Sequence, residues 1–149
     1  MKDPIKTRWL NREIAYPGPF VALCTKQEQY DAICKEWELG TGPFLLSGAD
    51  GTMHFYDRGS DAVAIVCIRP KPKAQELIAF GLIVHESVHV WQKYAAWLNE
   101  TEPGKEQEAY AIQAISQNLM KEFRRQMREV KKCIAKSAEI PLPSLTLVT

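Results

Sequence analysis

Residues 62–68 read Ala-Val-Ala-Ile-Val-Cys-Ile, seven apolar side chains without a break. Side chains along a strand alternate between the two faces of its sheet, so a run that is apolar at every position needs cover on both faces. This run predicts a central strand, and it obliges the chain to supply packing elements above and below it. Pro70 and Pro72 end the sheet behind it. Ahead of it, Asp57-Arg58-Gly59-Ser60-Asp61 reads as a hairpin loop and Thr52 to Tyr56 as the partner strand. The mixed character of His54, Phe55 and Tyr56 suits a strand nearer the sheet edge. Phe20 to Cys24 is a further short strand, and Gly48-Ala49-Asp50-Gly51 a turn.

The remaining periodicity is helical. Thr25 followed by Glu28 is a capping-box pattern, predicting a helix from there to about Leu39 that stops at Gly40 and turns Tyr30, Ile33, Cys34 and Trp37 inward. Two long helices are expected after the sheet. One runs from about Ala74 to Leu98, with a loop over 99–104. The other runs from about Lys105 to Ala135 and is long enough to bend or break. Residues 1–19 read as an irregular arm ending in Pro17-Gly18-Pro19, and 139–149, with Pro141 and Pro143, as an extended tail. The fold class is α+β: one domain over 1–149, a small antiparallel or mixed sheet followed by two long helices.

The 149 residues carry 19 basic and 18 acidic side chains, a formal charge of +1 that predicts neither a nucleic-acid nor a membrane partner. The longest apolar run, Leu77 to Val84, falls far short of the roughly 20 residues a membrane span requires. Met1-Lys2-Asp3-Pro4 leads into no signal-like apolar stretch. Cys24, Cys34, Cys67 and Cys133 are widely spaced and form no CxxC pair, so reduced thiols in a cytoplasmic protein are expected.

The chemistry sits in the first long helix, at His85-Glu86-Ser87-Val88-His89. Positions i and i+4 of a helix share a face, so both imidazoles can reach one ion, and zinc accepts neutral imidazole nitrogen. Glu86, beside the first histidine, is the expected general base toward a zinc-bound water. Two of the chain's three histidines lie in this motif. The apolar residues Leu77, Ile78, Phe80, Leu82, Ile83 and Val84 predict a helix buried on nearly all sides just before it. A catalytic zinc needs a third protein ligand and an open position. The acidic cluster Glu106-Gln107-Glu108, followed by Ala109-Tyr110-Ala111, opens the next helix and is well placed to fold back against the first.

HExxH followed by a helix carrying ExEA resembles the gluzincin division of zinc metallopeptidases. His89-Val90-Trp91-Gln92 and the segment from Glu106 to Gln113 are also similar to small metallopeptidases encoded by bacteriophages. The likeness spans roughly residues 78–119. It implies a minimal zincin-like domain in which His85, His89 and a glutamate of the following helix hold Zn2+. One gluzincin pattern points to Glu106, the expected third ligand, and the other to Glu108, the alternative. Tyr110 stands where the family carries an acid or amide, and its hydroxyl is a candidate donor to the metal site or the transition state. The implied activity is peptide-bond hydrolysis by zinc-bound water, with a peptide or protein as substrate, in the cytoplasm of a bacterial host if the chain is phage-encoded. In the resembling peptidases an edge strand beside the HExxH helix pairs with substrate, which makes His54 a candidate to face the cleft.

Weaker signals lie outside the motif. Trp91, Tyr94 and Trp97 recur at helical spacing and read chiefly as packing. Lys121, Arg124, Arg125, Arg128, Lys131, Lys132 and Lys136 make the last helix basic, which reads chiefly as a solvated face. The alternatives to a peptidase are a zinc-containing binding protein without catalysis, or a nucleic-acid-associated protein using that helix.

Overall fold

The computed structural model describes residues 5–10, 18–71 and 76–138. The expected extended tail lies outside this range, as do most of the N-terminal arm and the expected helix start at Ala74. Three strands and three helices follow in the order β1 (Phe20–Cys24), α1 (Gln27–Glu36), β2 (Gly51–Asp57), β3 (Ala62–Ile68), α2 (Glu76–Trp97) and α3 (Lys105–Ala138). The sheet order is β1-β3-β2, with β1 parallel and β2 antiparallel to β3. The fold is therefore α+β, a small mixed sheet followed by two long helices.

The apolar run takes the centre, and every residue of β3 is buried. Its alternating side chains split the core in two. Ala62, Ala64, Val66 and Ile68 pack with Ile83, Val90 and Trp91 of α2 and with Ile115 and Leu119 of α3. Val63, Ile65 and Cys67 point the other way, toward Tyr30, Ile33 and Cys34 of α1. The described part of the N-terminal arm is not wholly irregular. Trp9 forms a β-bridge with Ala22, and Leu10 N–H donates to Val21 O at 2.9 Å, so the arm lies along the outer edge of β1. All four cysteines are free thiols.

Three boundaries differ from the sequence expectation, the first being that α1 ends at Glu36, with Trp37 as C-cap, rather than near Leu39. The capping box at Thr25 and Glu28 does not form; α1 begins at Gln27 behind Lys26, which makes no side-chain cap. The reason is that Thr25 is buried and engaged elsewhere. Its Oγ1 has one proton and lies 2.9 Å from Gln126 Oε1 and 3.1 Å from Gln29 Oε1. Gln29 Oε1 also accepts the Thr25 N–H at 2.7 Å. α3, in turn, runs unbroken to Ala138.

Gln126, 0% exposed, joins the three layers. Its amide donates to Leu23 O and to Glu122 Oε1, both at 3.0 Å, while its carbonyl oxygen accepts from Thr25 and Gln29. Glu122 is itself buried and bonded by Arg125 at 2.6 and 2.8 Å. Truncation at 126 leaves several buried polar groups unpaired. Gln126→Ala should lower stability by about 2–3 kcal/mol, read as a lower urea midpoint at unchanged slope.

Candidate metal centre

The phase of α2 sorts the motif. Ala79, Ile83, Glu86, Val90 and Tyr94 are buried at spacings of three and four residues and form the stripe that faces the sheet. Glu86 therefore occupies a position the pattern reserves for an apolar side chain. Ile78, Leu82, His85 and His89 form the neighbouring stripe, turned outward.

Glu86 is 6% exposed. Its carboxylate reaches β2, where the Met53 N–H donates to it. Gly51 makes the room: a Cβ there would stand 3.1 Å from Glu86 Oε1 and 3.2 Å from Ile68 Cδ1. Burial pushes the Glu86 carboxyl above the usual carboxylate range, while His85, His89, His54 and the Met53 N–H pull it back. A desolvated carboxylate with raised proton affinity, next to one imidazole and three residues from the other, is suited to accept and return a proton.

The two imidazoles converge. His85 Nε2 and His89 Nε2 lie 3.2 Å apart on the exposed face. Two imidazole nitrogens bound tetrahedrally to zinc stand about 3.3–3.4 Å apart, so the pair is spaced for a shared ion. His89 Nδ1 lies 3.2 Å from Gln92 Oε1. With the Gln92 carbonyl oxygen as acceptor the ring proton sits on Nδ1 and the Nε2 lone pair faces His85 Nε2, the form a metal needs. The donor set thus fits a zinc ion on the side the histidines supply. Gln92 and Gly51 were not singled out from sequence. The first is signalled by its i+3 spacing from His89, the second only by its place at the start of an edge strand.

The acids of the second helix are not drawn in. Among the described residues no group of three or more His, Cys, Asp and Glu side chains gathers to hold a metal. Glu106 is exposed, Glu108 half-buried, and Tyr110 67% exposed. Two contacts set the register of the antiparallel pair. Arg124 binds Glu76 bidentately at 2.7 and 3.0 Å, and the Phe80 and Phe123 rings meet edge-on at 6.4 Å. At 1.5 Å per residue, roughly residues 111–114 stand level with His89, with Glu108 roughly 5–9 Å and Glu106 roughly 8–12 Å nearer the connecting loop.

Other expectations are corrected or refined. His54 does not face the cleft. It lies on the α1 side of the sheet, 4.7 Å from the Tyr30 ring, with Nε2 3.0 Å from Phe44 O, because strand alternation sends Met53 and Phe55 toward α2 instead. Nor is α2 buried all round before the motif: Leu77, Ile78 and Val84 are exposed, since the sheet and α3 cover only the inward stripes. Trp91 and Tyr94 are core residues. Trp97 stacks on Tyr94 and donates to Asp57 Oδ1 at 2.9 Å. On the basic helix, Arg124 pairs with Glu76, Arg125 with Glu122 and Lys132 with Glu129, which reduces its free positive charge. Among the described residues no helix is long and apolar enough to cross a membrane.

Comparison with protein-family models, with curated proteins and with solved structures finds no match to this chain. The chemistry of the site is therefore argued from its geometry. His85→Ala or His89→Ala should abolish tight zinc binding. Gln92→Ala should weaken it by about 10–100-fold through loss of ring orientation. Competition against a chromophoric chelator measures both.

Proposed function

We propose that the protein is a zinc-dependent peptidase, acting on a peptide or protein substrate, with Glu86 as its general base. The observation that carries this reading is the pairing of two converging Nε2 atoms, 3.2 Å apart, with a buried carboxylate on the adjoining stripe of the same helix. His85 and His89 would hold the ion. Of the two candidate third ligands, Glu108 stands closer to His89 along α3 than Glu106 does, and the proposal assigns it that role. A zinc ion bound there would supply Lewis acidity, to polarise a carbonyl and lower the pKa of a water toward neutrality.

The chain's own residues supply the rest. Glu86 is held at the edge strand by the Met53 N–H, and its burial favours the protonated form that general-base action produces. It accepts a proton from the attacking water and returns it to the departing amine. β2 pairs with no strand other than β3 among the described residues, so beside the Met53 N–H that meets Glu86 its other edge leaves backbone groups for an extended peptide. Gln92 keeps the His89 ring in its ligating tautomer. If the chain is phage-encoded, as the resemblance to bacteriophage peptidases implies, the reaction would take place in the cytoplasm of a bacterial host.

A second reading, a metal-holding binding protein without catalysis, draws on the fact that Glu86 also ties α2 to β2. One experiment separates the two. The zinc-loaded chain and Glu86→Gln are incubated with a peptide library and products are read by mass spectrometry. Glu86→Gln should keep one zinc per chain and lose hydrolysis by at least about 100-fold. Equal turnover in both proteins would sink the mechanism, and no cleavage by the zinc-loaded parent would favour the binding protein. Gly51→Ala, which displaces the Glu86 carboxylate by a few tenths of an ångström, should slow turnover several-fold at unchanged zinc content. Glu108→Ala should weaken zinc binding where Glu106→Ala leaves it unchanged.

A further inference from the structure

A groove of about 740 Å³ opens at the carboxyl ends of the parallel strands β1 and β3, the position where open α/β sheets commonly take ligands. Its size falls in the range of small-molecule sites. One wall is apolar: Ile78 and Leu82 from α2 face Phe123, Met127, Val130 and Ile134 from α3. Ile78 and Ile134, at 55% and 61% exposed, form an open outer lip. From Phe123 to Ile134 the wall runs about 16 Å along the helix axis, the reach of an alkyl chain of about a dozen carbons.

The other end is positive, and the reason lies in which charges are already satisfied. Both acids of the lining are engaged, Asp50 by Lys71 and Glu76 by Arg124. Lys26, Arg69 and Lys131 also line the groove and form no ion pair among the described residues. Lys26, two residues past β1, is the N-cap of α1 and makes no side-chain cap bond, and Arg69 follows directly on β3. Two unpaired cations, Lys26 and Arg69, with Lys131 shared toward Glu76, stand beside a long apolar wall, an arrangement complementary to a chain ending in an acid. A single guanidinium among them matches a single carboxylate.

We propose that this groove binds a free alkyl carboxylate of the fatty-acid kind, its chain along the α2–α3 wall and its carboxylate toward Lys26, Arg69 and Lys131. The groove shares the α2 stripe of the histidine pair, but neither His85 nor His89 lines it, and it needs no metal.

The test uses the full metal-free chain, titrated with dodecanoate below its micelle concentration and followed by calorimetry and by backbone amide NMR. Dodecanol and dodecyltrimethylammonium are the controls. Saturable dodecanoate binding is expected, about tenfold or more tighter than the ammonium control, with shifts concentrated at Leu82 and Met127. Arg69→Glu should weaken dodecanoate about tenfold and leave dodecanol unchanged. Ile134→Asp, a change at an exposed position, should weaken both. No saturable binding, or equal binding of all three probes, would overturn the proposal. Self-association that dodecanoate does not reverse would overturn it as well, assigning the groove to a second copy of the chain. None of these outcomes touches the peptidase reading, whose test is zinc-loaded cleavage.

Discussion

The complete exclusion of β3 from water organises this molecule. Seven consecutive apolar side chains cannot be hidden by one layer, so α1 must close one face and α2 with α3 the other. The backbone imposes a matching demand, because buried amides and carbonyls need partners. β1 and β2 meet it on the two sides. Where the layers join, burial forces polar groups into a closed set, and Gln126 links Leu23 of the sheet, Thr25 and Gln29 at the start of α1, and Glu122 of α3. The polar cluster is thus a consequence of the apolar one, sitting where α3 crosses the end of β1.

Much of this was legible in the chain because the signals were local. The strand at 62–68 and the loop before it follow from composition and turn residues alone, and the HExxH spacing puts two imidazoles on one helix face without any tertiary information. What could not be read depends on distant partners. Thr25 has the right chemistry for a cap, but its hydroxyl is engaged by Gln126 across the fold. Leu77, Ile78 and Val84 look like core residues, yet nothing described in the fold covers their side of α2. His54 falls on the α1 side because the register of β2 against β3 sets which residues face which helix. The third ligand was ambiguous for the same kind of reason. Whether Glu106 or Glu108 comes nearer to His89 depends on the lengths of two helices and the loop between them.

The candidate site is an arrangement of helical phase. A shift of one residue separates the inward stripe from the outward one, so Glu86 enters the core while His85 stays in solvent. A carboxylate at a core position is destabilising unless it is hydrogen-bonded, and here the Met53 N–H and the missing side chain of Gly51 accommodate it. The histidines meet the opposite condition, an open face turned to solvent. One helix docked on an edge strand meets both requirements with no additional element.

The two neighbours of β3 join it by very different routes. β2 is connected through a short loop at Arg58–Asp61, where Arg58 N–H bonds Asp61 O at 2.9 Å, whereas β1 must bring Phe20 to Val63 across the intervening helix and strand. Closing a short loop is entropically cheap and closing a long one is slow. The β2–β3 hairpin is therefore the natural folding nucleus, with β1 docking afterwards and the arm at Trp9 joining last. The same order, reversed, describes unfolding. The edge nearest Glu86 belongs to this hairpin, so the Glu86 carboxylate rests on the part of the sheet joined by the shortest loop.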